Sequence, residues 1–205
     1  SSCLVANGID ISLSDDYVPS TGKRAILFVG PFRAPINFEG IVDFLKRVYP
    51  RLLSDVEGVS LTIVGGVGAR ARVANLECFA HPSIQLLEQV EDIPDLIRAH
   101  AVTINPQESL RGSSLKVIES LAVGRVCVST RAGARGHLDA SFDALLVADD
   151  EVEFARVLAE ILLDDARRVQ LERPQSDRLA PYDWSAQGRR LRDYLGHCIA
   201  TTDAT

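Results

Sequence analysis

The chain has 205 residues, of which 46% are hydrophobic, and its formal net charge at pH 7 is −6. This composition predicts one globular domain with an ample core, and no apolar run approaches the roughly 20 residues that span a bilayer. The acidic balance argues against a nucleic-acid partner, because phosphate backbones are bound by clustered Lys and Arg side chains.

The four cysteines are widely spaced and form no C-x-x-C pair. This spacing favours reduced thiols in a cytoplasmic protein over disulfides or metal ligands, and we predict no metal site. The first residues lack the charged-then-apolar pattern that predicts a signal peptide. Because the chain contains no Met, we expect its first residue not to be a native start.

Residues 1–24 are rich in turn signals. Asn7-Gly8, Asp15-Asp16 and the Pro19-Ser-Thr-Gly22 run each favour a change of chain direction, and no apolar periodicity accompanies them. We therefore predict a connector here rather than part of the core.

The first two apolar runs predict buried parallel strands. Residues 25–30 read AILFVG, a continuous apolar run typical of a strand covered on both faces. A loop containing Arg33 follows and opens a predicted helix that extends through Pro50. Leu61–Gly65 predicts the second strand, and Ile84–Leu87 predicts the third.

A dinucleotide-binding fingerprint follows the second strand and supports an alternative function. Gly66-x-Gly68-x-x-Ala71 matches the glycine pattern, and Glu88 lies about 20 residues further on, where a ribose-binding carboxylate belongs. This pattern predicts an NAD-linked oxidoreductase module. The fingerprint normally follows the first strand of its unit, however, whereas a strand and a helix precede this one.

Residues 102–130 form a predicted strand, loop, helix and strand. The first strand stops at Asn105-Pro106, apolar residues recur at helical spacing from Leu115 until Gly124, and residues 126–128 form the next apolar run. This order predicts a right-handed βαβ unit with parallel strands. Later patterns predict a short strand at residues 144–147 and a helix over residues 151–163.

The helix start in this unit predicts an anion-binding site. Its first N–H groups lack intrahelical partners, and Gly112 allows a phosphate to approach the backbone at Ser114 and Leu115. Ser113 and Ser114 can add hydroxyl donors. The alternative is that one of these serines only caps the helix.

Lys116 and Glu119 extend the same helix face. Glu119 lies roughly 8 to 9 Å from the phosphate end by helix rise, a distance that suits a carboxylate accepting hydrogen bonds from a nucleotide ribose. The alternative is a solvated ion pair between residues three apart, with no ligand.

The run from Gly112 to Gly124, followed by Val-Cys-Val-Ser-Thr, resembles the signature of family-four (group 1) retaining glycosyltransferases of the GT-B fold. This resemblance implies a doubly wound, Rossmann-like α/β sheet of about six parallel strands, with helices on both faces and a C-terminal crossing helix. It implies transfer of a sugar from a nucleoside diphosphate sugar to an acceptor, with retained configuration and no cofactor.

The resemblance assigns roles to particular positions. Glu119 holds the ribose, the helix start holds the diphosphate together with Arg33, and Val90 lies beside the nucleobase. Arg111 stands where the family has a second glutamate that contacts the sugar, and the family's lysine near Arg33 has no counterpart. The implied donor-binding residues are Gly30, Arg33, Gly66, Val90, Arg111, Gly112, Ser113, Ser114, Leu115, Lys116 and Glu119.

The resemblance also divides the chain. Residues 1–24 resemble the interdomain linker, residues 25–181 the donor-binding domain, and residues 182–205 the terminal helix and tail that pack on the first domain. We therefore expect an N-terminal acceptor domain to be absent from the chain, and with it the catalytic residues and any peripheral contact with a membrane. The chain alone should bind donor weakly and catalyse nothing. A further alternative, suggested by Arg111, is a regulatory domain with a vestigial site.

Overall fold

A computed structural model describes residues 7–108, 114–138, 142–148 and 150–202. Six parallel strands form one sheet in the order β3-β2-β1-β4-β5-β6, which confirms the predicted doubly wound fold. The strands are β1 (Ala25–Val29), β2 (Ser60–Val64), β3 (Ile84–Leu87), β4 (Val102–Asn105), β5 (Val126–Thr130) and β6 (Leu145–Ala148). The direction of winding reverses between β1 and β4, where sheets of this type open a ligand crevice.

The described helices surround this sheet. They are α1 (Pro35–Arg47), α2 (Tyr49–Asp55), α3 (Ala69–Val73), α4 (Ile93–Ala99), α5 (Leu115–Val123), α6 (Glu151–Leu163), α7 (Asp165–Glu172), α8 (Ser176–Leu179) and α9 (Trp184–Thr202). Single 3-10 turns occur at Ile11–Ser14, Glu77–Phe79 and Ala180–Tyr182.

The burial of strand β1 on both faces of the sheet explains its unbroken run of apolar residues. Ile26 and Phe28 enter the large core cluster, whereas Leu27 enters a second cluster with Ile97 and Val123, and all three β1 side chains are fully buried. Because successive side chains of a strand point to opposite faces, both faces of the sheet are covered by helices.

The predicted single helix through Pro50 is wrong. Helix α1 ends at Arg47, and α2 begins at Tyr49 with Pro50 in its first turn. Proline lacks an N–H group, which the first turn of a helix does not use, so Pro50 fits the start of a second helix better than the interior of one long helix.

The N-terminal segment packs against the C-terminal helices. Ile9 is 4% exposed and belongs to the main core cluster, its N–H donates to the Tyr182 carbonyl at 2.9 Å, and its own carbonyl accepts from the Trp184 N–H at 3.1 Å. The prediction that residues 1–24 stay outside the core is therefore wrong at Ile9. Their role as an interdomain linker stays a prediction.

Helix α9 carries an exposed apolar stripe. Trp184, Leu191, Leu195 and Ile199 share one side of the helix, and each is between 42% and 63% exposed. Within the described part of the chain, no helix is both long enough and apolar enough to traverse a membrane.

Candidate functional site

The crevice between β1 and β4 is bordered by the first turns of α1 and α5. The two helices approach closely, since the Lys116 Nζ of α5 lies 2.8 Å from the Asn37 Oδ1 of α1. A Cβ placed on Gly40 of α1 would lie 2.6 Å from the Pro106 carbonyl oxygen, so only glycine permits this approach of α1 to the segment after β4. The site is therefore formed by segments far apart in sequence.

The start of α5 is bare within the described residues. Ser114 is the N-cap residue, yet its side chain makes no capping hydrogen bond. None of the described groups accepts a hydrogen bond from the amides of Leu115 and Lys116. The Ser114 side chain therefore does not cap the helix, whereas the same alternative for Ser113 concerns a residue outside the described ranges. These amides and the positive end of the helix dipole suit an anion.

Ser114 is instead held from outside the helix. The Asn105 Nδ2 lies 3.2 Å from the Ser114 Oγ, and the His137 Nε2 lies 3.1 Å from the Ser114 carbonyl oxygen. Both side chains are buried, and burial lowers the pKa of His137. A neutral imidazole that donates from Nε2 fixes the N-cap residue of α5 without adding charge.

Lys116 is partly exposed as a residue, but its ammonium group lies in buried surroundings. Its Nζ lies 4.8 Å from the centre of the Phe28 ring, and no described carboxylate lies within salt-bridge distance of it. Burial lowers the pKa of Lys116 from 10.5 to about 8. A solvated pair with Glu119 is therefore the wrong description of this ammonium, which lacks a counter-ion among the described residues.

Glu119 lies one turn further along α5 and is half-buried. It lines a small cavity together with Lys116, Thr103 and Val29. Burial raises the pKa of the Glu119 carboxyl, while the Lys116 ammonium opposes this rise. No hydrogen bond to Glu119 comes from the described residues, so its oxygens remain available to a ligand.

A larger cleft of about 450 Å³ adjoins this cavity through Val29, which lines both. Arg33, Gly66 and Val90, three of the predicted donor-binding residues, lie in its wall. Gly30 lies behind that wall, where a Cβ would come within 2.8 Å of the Asn37 Cγ. Five of the predicted positions are therefore near the crevice in addition to the α5 start. They are Gly30, Arg33, Gly66, Val90 and Glu119.

Three predicted positions, Arg111, Gly112 and Ser113, lie outside the described residues. The predicted donor-binding positions that the structure describes lie near the carboxyl ends of the strands, as expected for an open parallel sheet. No group of three or more His, Cys, Asp or Glu side chains in the described ranges is arranged to hold a metal ion.

The geometry of Glu88 argues against the dinucleotide alternative. Its Oε1 accepts from the Arg70 backbone N–H at 3.1 Å, so a protein carboxylate occupies the helix start that a pyrophosphate would need. Helix α3 has only five residues and follows β2, away from the point where the strand order reverses. One Glu88 oxygen therefore supports the start of α3, while the residue also lines the larger cleft.

Sequence reasoning missed four polar residues that hold the site together, namely Asn37, Asn105, Gln107 and His137. Each is buried, with exposures between 0% and 8%. His137 could not be identified from its neighbours in the sequence, because its partner Ser114 is 23 residues away. The only sequence signal is that Asn105 and Gln107 lie where a predicted strand ends.

Residues 23–164 match the model of a protein family described as glycosyl transferases group 1. The phosphatidyl-myo-inositol mannosyltransferase of Mycolicibacterium smegmatis is 28% identical over 198 residues, which cover 91% of this chain and 50% of the relative. An uncharacterized 44.6 kDa protein in the cps region of Klebsiella pneumoniae is 27% identical over 137 residues, covering 64% and 35% respectively. The chain thus spans half or less of these relatives.

Solved structures share the fold at low sequence identity. Sucrose-phosphate synthase from Thermosynechococcus elongatus gives a TM-score of 0.76 at 18% identity, covering 97% of this chain and 53% of that one. HepE from Anabaena in complex with UDP gives 0.73 at 14% identity, covering 94% and 57%. With the family match over more than half of its length, the chain belongs to the group 1 glycosyltransferases and corresponds to the nucleotide-sugar-binding half of a GT-B fold.

Proposed function

We propose that the crevice between β1 and β4 binds a nucleoside diphosphate sugar, and that the complete enzyme transfers this sugar to an acceptor with retention of configuration. One observation carries the proposal: the Lys116 ammonium is buried beside the uncapped start of α5, and none of the carboxylates in the described residues pairs with it. A buried charge is costly unless it is paired, so this site is built for an anionic ligand.

The diphosphate supplies the missing negative charge. The amides of Leu115 and Lys116 and the Lys116 ammonium donate to its oxygens, and Arg33 lies at the exposed edge of the adjoining cleft. Gly112 and Ser113, as predicted from the sequence, complete the loop around it. During transfer, negative charge grows on the departing diphosphate, and positioned donors of this kind stabilise that charge.

The nucleoside extends from the diphosphate along α5 and into the larger cleft. Glu119 accepts from the ribose hydroxyls, since it lies about 6 Å by helix rise from Leu115 and three residues from Lys116 on the same helix. Gly66 and Val90 line the space for the nucleobase. By the family resemblance, Arg111 is the position expected to contact the sugar.

The acceptor and the remaining catalytic groups belong to a separate N-terminal half. The exposed stripe on α9 and the packing of residues 7–9 against the start of α9 support a docking role for this side of the domain. Among the described residues, the reduced thiols of Cys78 and Cys127 support a reducing, cytoplasmic location. We expect this chain alone to bind donor weakly and to transfer no sugar.

A thermal-shift panel tests the proposal. We expect UDP, GDP or ADP, and inorganic pyrophosphate more weakly, to raise the melting temperature of the chain, because ligands that bind only the folded state stabilise it. Lys116→Met should remove the shift, whereas the exposed control Lys46→Met should keep it. No shift with any of these ligands at millimolar concentration would support a vestigial regulatory domain instead.

A further inference from the structure

Asn37 connects the two sides of the crevice. Its Oδ1 accepts from the Lys116 Nζ at 2.8 Å and from the Gln107 Nε2 at 2.8 Å, and its Nδ2 donates to the Pro31 carbonyl at 3.2 Å. The side chain therefore bonds to the loop after β1, the segment after β4 and the first turn of α5. Only 8% of the residue is exposed.

The surrounding backbone is shaped to admit this side chain. A Cβ on Gly30 would lie 2.8 Å from the Asn37 Cγ, so any larger residue at position 30 would displace the amide. A Cβ on Gly40, one turn after Asn37, would collide with the Pro106 carbonyl. Two glycines thus bring Asn37 into contact with both Gln107 and Lys116.

We propose that Asn37 is a positioning residue that fixes the Lys116 ammonium in the crevice, and that Gln107 holds the Asn37 amide in the required orientation. This inference rests on the proposed function, in which Lys116 contacts the diphosphate. Asn37 itself need not touch the donor.

The chemistry of the side chain explains why an amide suits this role. An amide oxygen accepts one hydrogen bond from the ammonium. The other two ammonium protons remain available for phosphate oxygens. A carboxylate at the same place would neutralise the lysine and compete with the anionic ligand. Asn37 therefore orients the charge of Lys116 without cancelling it.

Among the described residues, two other titratable groups act on Lys116. Glu119 lies one turn along the same helix, and the Cys127 thiol lies on β5. Burial raises the pKa of Cys127 to about 11, so this thiol is neutral where Lys116 titrates. The protonation of Lys116 is accordingly sensitive to the residue at position 37.

The test uses the small number of lysines in the chain. Only Lys23, Lys46 and Lys116 are present, so carbon-13 NMR of labelled lysine side chains gives three signals, and Lys116→Met assigns the relevant one. Asn37→Asp and Asn37→Leu are both close in size to Asn. Asn75→Asp adds the same negative charge at an exposed position and is the matched control.

We expect the two variants to move the Lys116 titration in opposite directions. Asn37→Asp should raise its midpoint by about 1 pH unit or more, because a nearby opposite charge favours the charged form. Asn37→Leu should lower the midpoint, because the ammonium loses an acceptor. Both variants should weaken pyrophosphate binding about tenfold, in line with the loss of a hydrogen bond from a charged group. Asn75→Asp should change neither quantity.

A residue that only supports folding would not produce shifts of opposite sign. An unchanged Lys116 midpoint in either folded variant overturns the inference, and the near-isosteric Asn37→Asp decides the matter where Asn37→Leu does not fold. If the midpoints move as expected but the unmodified chain binds neither pyrophosphate nor nucleoside diphosphates, the proposed function fails while the positioning role of Asn37 stands.

Discussion

The two ends of α5 differ in whether other protein groups form hydrogen bonds with their unpaired backbone groups. At the C-terminal end, Gly124 adopts a positive φ of 78°, and the N–H groups of Gly124 and Arg125 donate to carbonyls of the last turn. The Arg125 guanidinium donates to the carbonyls of Gly124, His100 and Arg98 at 2.7 to 2.9 Å. At the N-terminal end, the amides of Leu115 and Lys116 have no described acceptor.

The buried charges at the two ends differ in the same way. Arg125 lies 3.9 Å from Glu172, which also accepts from the Ser20 backbone N–H and lies 3.6 Å from Arg168. All three charged side chains are fully buried, yet each has several partners. Among the described residues, Lys116 contacts the Asn37 amide and the Phe28 ring, with no carboxylate. A saturated network of this kind stabilises the fold, whereas an unpaired charge is the feature on which we base the proposed ligand site.

The largest change in stability should come from a substitution at the C-terminal end of α5, where the buried charges are fully paired. Arg125→Met removes the donor to three carbonyls and deprives Glu172 of a cation, so we expect a loss of about 3 to 5 kcal/mol in the free energy of unfolding. Urea denaturation measures this loss. The exposed Arg156 pairs with Glu160 on α6, and Arg156→Met should cost no more than about 1 kcal/mol. Equal costs for the two variants would contradict the comparison.

Lys116→Met, at the unsaturated N-terminal end of α5, should increase the free energy of unfolding instead of lowering it. An apolar side chain of similar length relieves the cost of burying an ammonium, so we expect the unliganded domain to gain about 1 to 3 kcal/mol at pH 7. Pyrophosphate binding should be lost in the same variant. A destabilised variant, or one that binds pyrophosphate normally, would show that Lys116 is a structural residue.

The pH dependence of stability provides a finer test of the same lysine. Its pKa of about 8 in the folded chain lies below the ordinary 10.5, so the unfolded chain binds more protons between these values. The Lys116 contribution to stability therefore rises as the pH increases from about 8 to 10.5. Denaturation curves of the unmodified chain and of Lys116→Met should converge over this range, while pyrophosphate affinity of the unmodified chain falls. Parallel curves would refute the assignment.

Glu119→Gln tests the contribution of the ribose to binding separately from that of the diphosphate. Replacing the carboxylate by an amide weakens the acceptor for two hydroxyls, and we expect nucleoside diphosphates to bind about tenfold more weakly. Pyrophosphate has no ribose, so its affinity should stay unchanged within error. Isothermal titration of both ligands against both proteins checks this, and equal weakening of the two would place Glu119 at the phosphate instead.

The smallest expected effect concerns α3. Glu88→Ala leaves the Arg70 N–H without its side-chain acceptor, and the loss of such a cap typically costs about 1 kcal/mol. Thermal denaturation measures the change, with Glu91→Ala on the neighbouring exposed turn as the control. Tight NADH binding that Glu88→Ala abolishes would revive the dinucleotide alternative.

Local patterns in the sequence were sufficient for the secondary structure around the site. An unbroken apolar run predicted the doubly covered β1, Gly124 predicted the end of α5, and helical spacing placed Lys116 and Glu119 on one face. Local reasoning was weaker at element boundaries. Helix α1, for example, ends at Arg47 rather than continuing through the predicted Pro50.

The sequence by itself determined the parallel α/β sheet, the unusual helix start at the end of β4 and the family to which the chain is similar. Only the tertiary structure decided that the Lys116 ammonium is buried, that Asn37 is its partner and that one Glu88 oxygen is occupied by α3. Asn37 and Lys116 are 79 residues apart, and they meet because the sheet places β1 beside β4. Periodicity reports on neighbours within a few residues, whereas burial and charge pairing depend on which strands become adjacent.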